Sequence, residues 1–279
     1  MMDENTYFID KDDEAELARL LVQDNAYNLA LTLLPTEWVF KSEMRVLDLA
    51  CGPGGWVLQV SYDHPELSVI GVDLSPQMIT YARAQAEVRE LSAQFRIMDL
   101  LRVPWPFPDQ HFDMLKARFI TSLTPKAFLP TLYQECWRVL RPGGVLRYTE
   151  GSFVSTPTSA ATQKLSLLSC EAAYRAGLSA SPYEMGMAPI TASILKKVGF
   201  KHVSLTPHLI DFSSGEPMYR LMKENWFMSI GLLKPFVVRM GVASPEEIDA
   251  LQKDFAHDWN DSAFCGHYHV CSLVCFKDA

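Results

Sequence analysis

Basic clusters are missing from this sequence. Its 25 Lys and Arg are set against 33 Asp and Glu, leaving a net charge of −8 over 279 residues. Phosphate-binding surfaces need clustered Lys and Arg, so the balance argues against nucleic acid as the main partner. It argues equally against an anionic membrane surface. The 6 cysteines are scattered and form no CxxC pair. In a chain of this size that predicts reduced thiols and a cytoplasmic setting. Long apolar runs are also lacking. The longest such window, Trp226 to Val242, is broken by Lys234, Pro235 and Arg239, so no membrane insertion is expected. The segment Met1 to Asp13 is acidic and polar, where a secretory leader would be basic and then apolar. Repeats, low-complexity tracts, heptads and a self-complementary apolar edge are all absent, which leaves the oligomeric state unread.

What is present is a core-forming chain, 48% hydrophobic and 21% charged. It is organised around Val46-Leu47-Asp48-Leu49-Ala50-Cys51-Gly52-Pro53-Gly54-Gly55-Trp56. A strand-length apolar run meets an acid, breaks into a glycine turn and continues as a helix-like pattern. That is the opening unit of a ligand crevice in an open parallel sheet. Gly52 and Gly54 allow a sharp bend and close approach of a ligand. A dinucleotide fingerprint would place a third glycine where Val57 stands, and a phosphate-cradling loop would carry a lysine. Neither occurs, and no basic residue lies between Val46 and Tyr62. A second apolar run, Ser68 to Asp73, ends in an acid roughly 20 residues beyond the turn, where a βαβ unit places its ribose-binding carboxylate. Ser75 is the N-cap of the next helix, with Pro76 at its first position. A third strand, about Ala93 to Ile97, leads to Met98-Asp99-Leu100.

The Asp-Leu-Ala-Cys-Gly-Pro-Gly-Gly segment resembles the first motif of class I S-adenosylmethionine-dependent methyltransferases, in the ubiquinone/menaquinone-biosynthesis-type, small-molecule branch. The resemblance runs over roughly residues 40 to 150. It includes Phe107-Pro108-Asp109 through Phe112-Asp113 before the fourth strand and Arg141-Pro142-Gly143-Gly144 before the fifth. It implies an α/β fold: a Rossmann-like, doubly wound, mostly parallel seven-stranded sheet with the last strand antiparallel, plus helical lid insertions. It implies S-adenosylmethionine as cofactor, held around Ala50, Cys51, Gly52 and Gly54, with Asp73 and Leu74 at the ribose. Met98, Asp99 and Leu100 would lie at the adenine, where Asp99 accepts from the amino group or simply forms a turn. Met78 packs on the adenine or fills the core. Ala117 and Arg118, at the end of the fourth strand, would face the methionine part. Arg118 stands where the family often has Asn, so it pairs with the donor carboxylate, an acceptor group or a neighbouring acid. Tyr7, before a helical stretch over 11 to 34, reaches the donor carboxylate or anchors the terminus.

This gives a helical cap over 1–40, a donor-binding core over 41–151, and a remainder over 152–279 that completes the sheet. The remainder carries insertions at about 152–188 and 213–262, both leaving from strand ends that face the crevice. Their Met and aromatic residues suit an apolar or aromatic acceptor, or glue helices to the core. Cys265, His267, His269, Cys271 and Cys275 alternate onto one face of the final strand, Phe264 to Phe276. Same-face side chains there are about 6–7 Å apart, so they cannot converge on one ion, and no metal site is expected. His267, near the start of that strand, is a possible general base or a wall histidine. The expected activity is methyl transfer to a small, largely apolar or aromatic metabolite, at O or C. The alternatives are a non-catalytic S-adenosylmethionine-binding module and a nicotinamide-dependent oxidoreductase.

Overall fold

The computed structural model describes residue 9 and residues 14–36, 38–39, 41–151 and 157–278. Tyr7 and Phe153 lie outside the described residues. Seven strands form one sheet: β1 (Arg45–Leu49), β2 (Ser68–Asp73), β3 (Gln94–Ile97), β4 (Phe112–Arg118), β5 (Leu140–Gly151), β6 (Lys201–Asp211) and β7 (His267–Phe276). Their spatial order is β3-β2-β1-β4-β5-β7-β6. The pairs from β3 through β5 are parallel, and β7 runs antiparallel to both β5 and β6. The expected mostly parallel sheet with its last strand reversed is therefore present. Strand order turns around between β1 and β4, and that switch point opens the crevice.

Helices cover both faces, so β1 is apolar on both sides: Val46, Leu47 and Leu49 are all fully buried. One face packs on α2 (Gly55–Asp63) and α3 (Pro76–Val88) through Trp56, Val57, Val60, Ile79 and Ala82. The other packs on α4 (Leu129–Val139) and α6 (Ala188–Val198) through Leu132, Cys136, Val139, Ala192 and Leu195. A separate apolar core joins α1 (Glu14–Ala30), α5 (Ala160–Arg175), α7 (Tyr219–Arg239) and α8 (Pro245–Asp258) through Tyr27, Leu165, Trp226, Phe236 and Phe255. The two insertions supply α5, α7 and α8, and α1 packs against α7.

Several boundaries differ from expectation for local reasons. The Pro-Gly-Gly segment does not precede the fifth strand but sits inside it. Phe112 pairs with Leu140 and Met114 with Val145, so residues 141–144 bulge out of one continuous β5. Within the second insertion, α7 runs through Pro235. The lost N–H would have served the Gly231 carbonyl, so the helix gives up one bond and continues. β7 starts at His267 and not at Phe264, because Phe264 turns inward to stack on Trp259 at 4.3 Å.

Candidate donor and acceptor site

The glycine turn is fixed by backbone bonds before any ligand is considered. Cys51 N–H donates to the Val72 carbonyl at 2.9 Å, and Gly54 N–H donates to the Cys51 carbonyl at 3.1 Å. Gly54 has φ +81°, and a Cβ there would meet the Phe95 ring at 2.7 Å. Only glycine satisfies both the left-handed backbone and the contact with β3. Asp73 closes the turn from β2: one carboxylate oxygen accepts from Gly52 N–H at 2.8 Å, the other from Ser75 N–H at 2.9 Å. Ser75 caps α3 as expected, accepting from Met78 N–H at 3.3 Å.

Beneath the turn, the Lys116 ammonium lies within 3.0 Å of both oxygens of Asp48 and 5.1 Å from the centre of the Trp56 ring. Burial pushes the Asp48 carboxyl up to about 6, with Lys116 pulling against it, and burial pushes the Lys116 ammonium down. Above the turn, α1 comes down as a lid. Asp24 accepts from Gly55 N–H at 3.0 Å and ion-pairs with Arg118, which also donates to Asn28 at 3.0 Å. A carboxylate at the start of α2 faces the positive end of that helix.

One cavity of roughly 200 Å³ runs from this turn into the helical cover. Its donor end is walled by Ala50, Cys51, Gly52, Asp73, Leu74, Met78, Met98, Asp99 and Leu100. Its middle is walled by Tyr27, Arg118, Phe119, Glu150 and Tyr268, and its far end by Leu165, Leu168, Met185, Trp226, Ile230, Leu233, Val237 and Ile248.

Residues 46–144 match a family model described as a methyltransferase domain. Over that stretch, which carries the glycine turn, Asp73 and Asp99, the chain is similar to a methyltransferase domain. Over 110 residues the chain is 37% identical to a demethylmenaquinone methyltransferase of Deinococcus radiodurans, covering 39% of this chain and 44% of that protein. It is 31% identical over 123 residues to a ubiquinone/menaquinone biosynthesis C-methyltransferase of Dinoroseobacter shibae, covering 43% of this chain and 48% of that protein. The chain thus spans less than half the length of these relatives. Among solved structures, Haemonchus contortus phosphoethanolamine N-methyltransferase 2, in complex with phosphomonomethylethanolamine and S-adenosylhomocysteine, is 19% identical. That alignment covers 98% of this chain and 60% of the other, with a TM-score of 0.59. At that identity the likeness is one of fold.

The cavity gathers most of the residues singled out in the sequence, but not all. Gly54 and Ala117 are outside the cavity lining; Gly54 turns toward Phe95, and Ala117 is buried in β4. Met78 is both core and wall, 2% exposed. Asp99 forms a turn, accepting from Leu101 N–H at 2.9 Å, and still lines the cavity. Arg118 lines it too, engaged by α1.

His267 is a correction: it does not line the cavity. Period-two alternation along β7 turns Tyr268 inward, 2% exposed, and leaves His267 beside His269, ring centres 4.9 Å apart. Tyr183, Phe227 and Tyr174 of the insertions point outward and are exposed, whereas Met185 and Trp226 form wall.

Sequence reading leaves Tyr27, Tyr268 and Lys116 without a role and sets Glu150 at the carboxyl end of the fifth strand, near where an acceptor should lie. Tyr268 had one legible signal, the glycine that ends β5. A Cβ on Gly151 would fall 1.7 Å from the Tyr268 hydroxyl, so that glycine makes room for the phenol. Phe119 leaves β4 at φ +57° and stacks edge-on against Tyr27 at 4.7 Å, a strained position at the cavity's waist.

Proposed function

We propose that the protein transfers a methyl group from S-adenosylmethionine to a small organic acceptor, largely apolar or aromatic, at oxygen or carbon. The observation that carries this reading is continuity. The glycine turn, Asp73 and Asp99 open into the same cavity as the apolar chamber under α5, α7 and α8. The donor, when bound, supplies an electrophilic sulfonium methyl. The residues present suit it: the turn offers backbone groups and no basic side chain, and half-buried carboxylates stand at both ends of the donor wall.

In this reading Asp73 accepts from the ribose hydroxyls while staying tied to Gly52 and Ser75. Asp99 accepts from the adenine amino group, and Met78 packs on the ring. The helical cover holds the acceptor in line and keeps water out, so most of the acceleration comes from positioning, worth up to several kcal/mol. Residues up to 40 act as a cap, 41–151 as the donor-binding core, and the insertions as the acceptor lid. The low basic content supports a metabolite over a nucleic acid, and a cytoplasmic setting belongs to the same reading. Among the described residues no helix is long and apolar enough to cross a membrane.

Two measurements test it. Calorimetry with S-adenosylhomocysteine is expected to show one site per chain. Radiolabelled donor incubated with the protein and a cell extract is expected to yield a labelled small molecule. Tight donor binding without any methylated product would favour a binding module. Binding of a nicotinamide cofactor with no response to S-adenosylhomocysteine would overturn the reading.

A further inference from the structure

Two buried acids sit near the carboxyl ends of β1 and β5, the strands on either side of β4, and they are treated differently. Asp48 is neutralised by a lysine at 2.9 Å. Glu150, 3% exposed at the end of β5, has no Lys or Arg paired to it among the described residues. Its Oε2 accepts from the hydroxyls of Thr121 and, at 2.5 Å, Tyr148; its Oε1 accepts from Gly151 N–H at 3.2 Å. Hydroxyl donors orient a carboxylate without neutralising it, so it remains a strong acceptor for a proton. It also stands in the cavity wall, at the waist between the donor turn and the apolar chamber. A purely structural acid in such a place would be expected to bring a cation or to be replaced by an apolar residue.

We propose that Glu150 is a catalytic residue that takes the hydroxyl proton of a phenolic or enolic acceptor, the acceptor's apolar body lying against Leu168, Trp226 and Ile230. This rests on the methyl-transfer reading. In the step, the acceptor O–H bond breaks and its proton goes to Glu150. The freed electron pair forms the new bond to the methyl carbon, and the carbon–sulfur bond breaks with its electrons remaining on sulfur. Burial raises the Glu150 carboxyl above the ordinary range, bringing it closer to the affinity such a proton demands. The titratable and charged groups around it are Tyr148 on its own strand, Tyr133 on α4, Tyr27 on α1, Cys271 and Tyr268 on β7, and Arg118 at the end of β4, whose charge is taken up by Asp24. Burial pushes the first four of these up, so they stay neutral beside it.

The test uses the full chain saturated with S-adenosylhomocysteine and two probes of nearly equal shape, 2-naphthol and 2-methoxynaphthalene. Only the first has a proton to give. Titration followed by calorimetry and tryptophan fluorescence is expected to show the wild type preferring 2-naphthol by about tenfold, the scale of one hydrogen bond to a charged group. Glu150→Gln is expected to lose that preference while binding 2-methoxynaphthalene like the wild type. With methyl donor present, the wild-type rate on 2-naphthol rises with pH through the Glu150 titration, and the Gln variant lacks that rising limb. No preference in the wild type, no binding of either probe, or an undiminished preference in Glu150→Gln would overturn the proposal. The wild-type comparison holds even if the variant folds poorly. Failure of S-adenosylhomocysteine itself to bind would sink the methyl-transfer reading instead.

Discussion

The two ends of the cavity are built in opposite ways. The donor end is backbone and strand ends: a glycine turn, two carboxylates and residues within a few positions of them, all from the stretch Ala50 to Leu101. The acceptor end is side chains from α1, α5, α7, α8 and β7, brought together from positions 19 to 268. The first is held by hydrogen bonds within one strand–helix–strand unit, such as Asp73 to Gly52 and Ser75. The second is held by packing in its own core and by a few long-range polar ties, such as Arg19 to Asn225 at 3.2 Å. A site made of local geometry resists change, whereas one made of distant side chains can be re-lined without disturbing the sheet. The match to the methyltransferase-domain family model, over residues 46–144, falls on the donor half.

That contrast can be broken by mutation. Lys116→Met should cost the most, on the order of 3–5 kcal/mol in denaturant melts, because it strands the buried Asp48 carboxylate beneath the donor turn. Gly151→Ala, at the waist, should cost about 1–3 kcal/mol, since its Cβ would force the buried Tyr268 hydroxyl aside. Asp73→Ala should weaken S-adenosylhomocysteine by roughly 1–3 kcal/mol in calorimetry. Trp226→Ala, at the acceptor end, should leave that affinity near wild type while weakening 2-naphthol. If both variants lost the two ligands equally, the two ends would not be separable.

The smallest expected effect is one of pH. The folded-state value of the Glu150 carboxyl is raised by burial. Its contribution to stability is complete below the unfolded value of about 4.3 and is lost as pH rises through the folded one. Glu150→Gln has no such loss. Its melting temperature relative to wild type should therefore climb as pH rises above the unfolded value, and a constant difference would contradict the assignment. A residue that costs stability at neutral pH yet persists in a cavity wall fits the usual trade between function and stability.

The same division explains what could be read from the chain. The donor turn, Asp73, Asp99 and the Ser75 cap were legible because each depends on turn chemistry or on the regular spacing of one strand–helix–strand unit. Gly54 was legible as a bend, but whether it faces ligand or Phe95 depends on strand pairing. His267 and Tyr268 are adjacent, and a shift of one residue exchanges cavity for outer face, so the choice required the register of β7. Glu150 was visible as an acid at a strand end. That no Lys or Arg is paired to it among the described residues was not, because that depends on which side chains of α1, α4 and β7 arrive beside it. The outward-facing Tyr183 and Phe227 show the reverse case: apolar content suggested wall, and tertiary packing left them exposed.

The most direct measurement is a crystal structure of the full chain grown with S-adenosylhomocysteine. The account predicts the ribose hydroxyls on Asp73, the adenine beside Met78 and Asp99, and the sulfur directed toward the waist between Tyr27 and Glu150. Density for the ligand away from the glycine turn, or with its sulfur turned from Glu150, would contradict it.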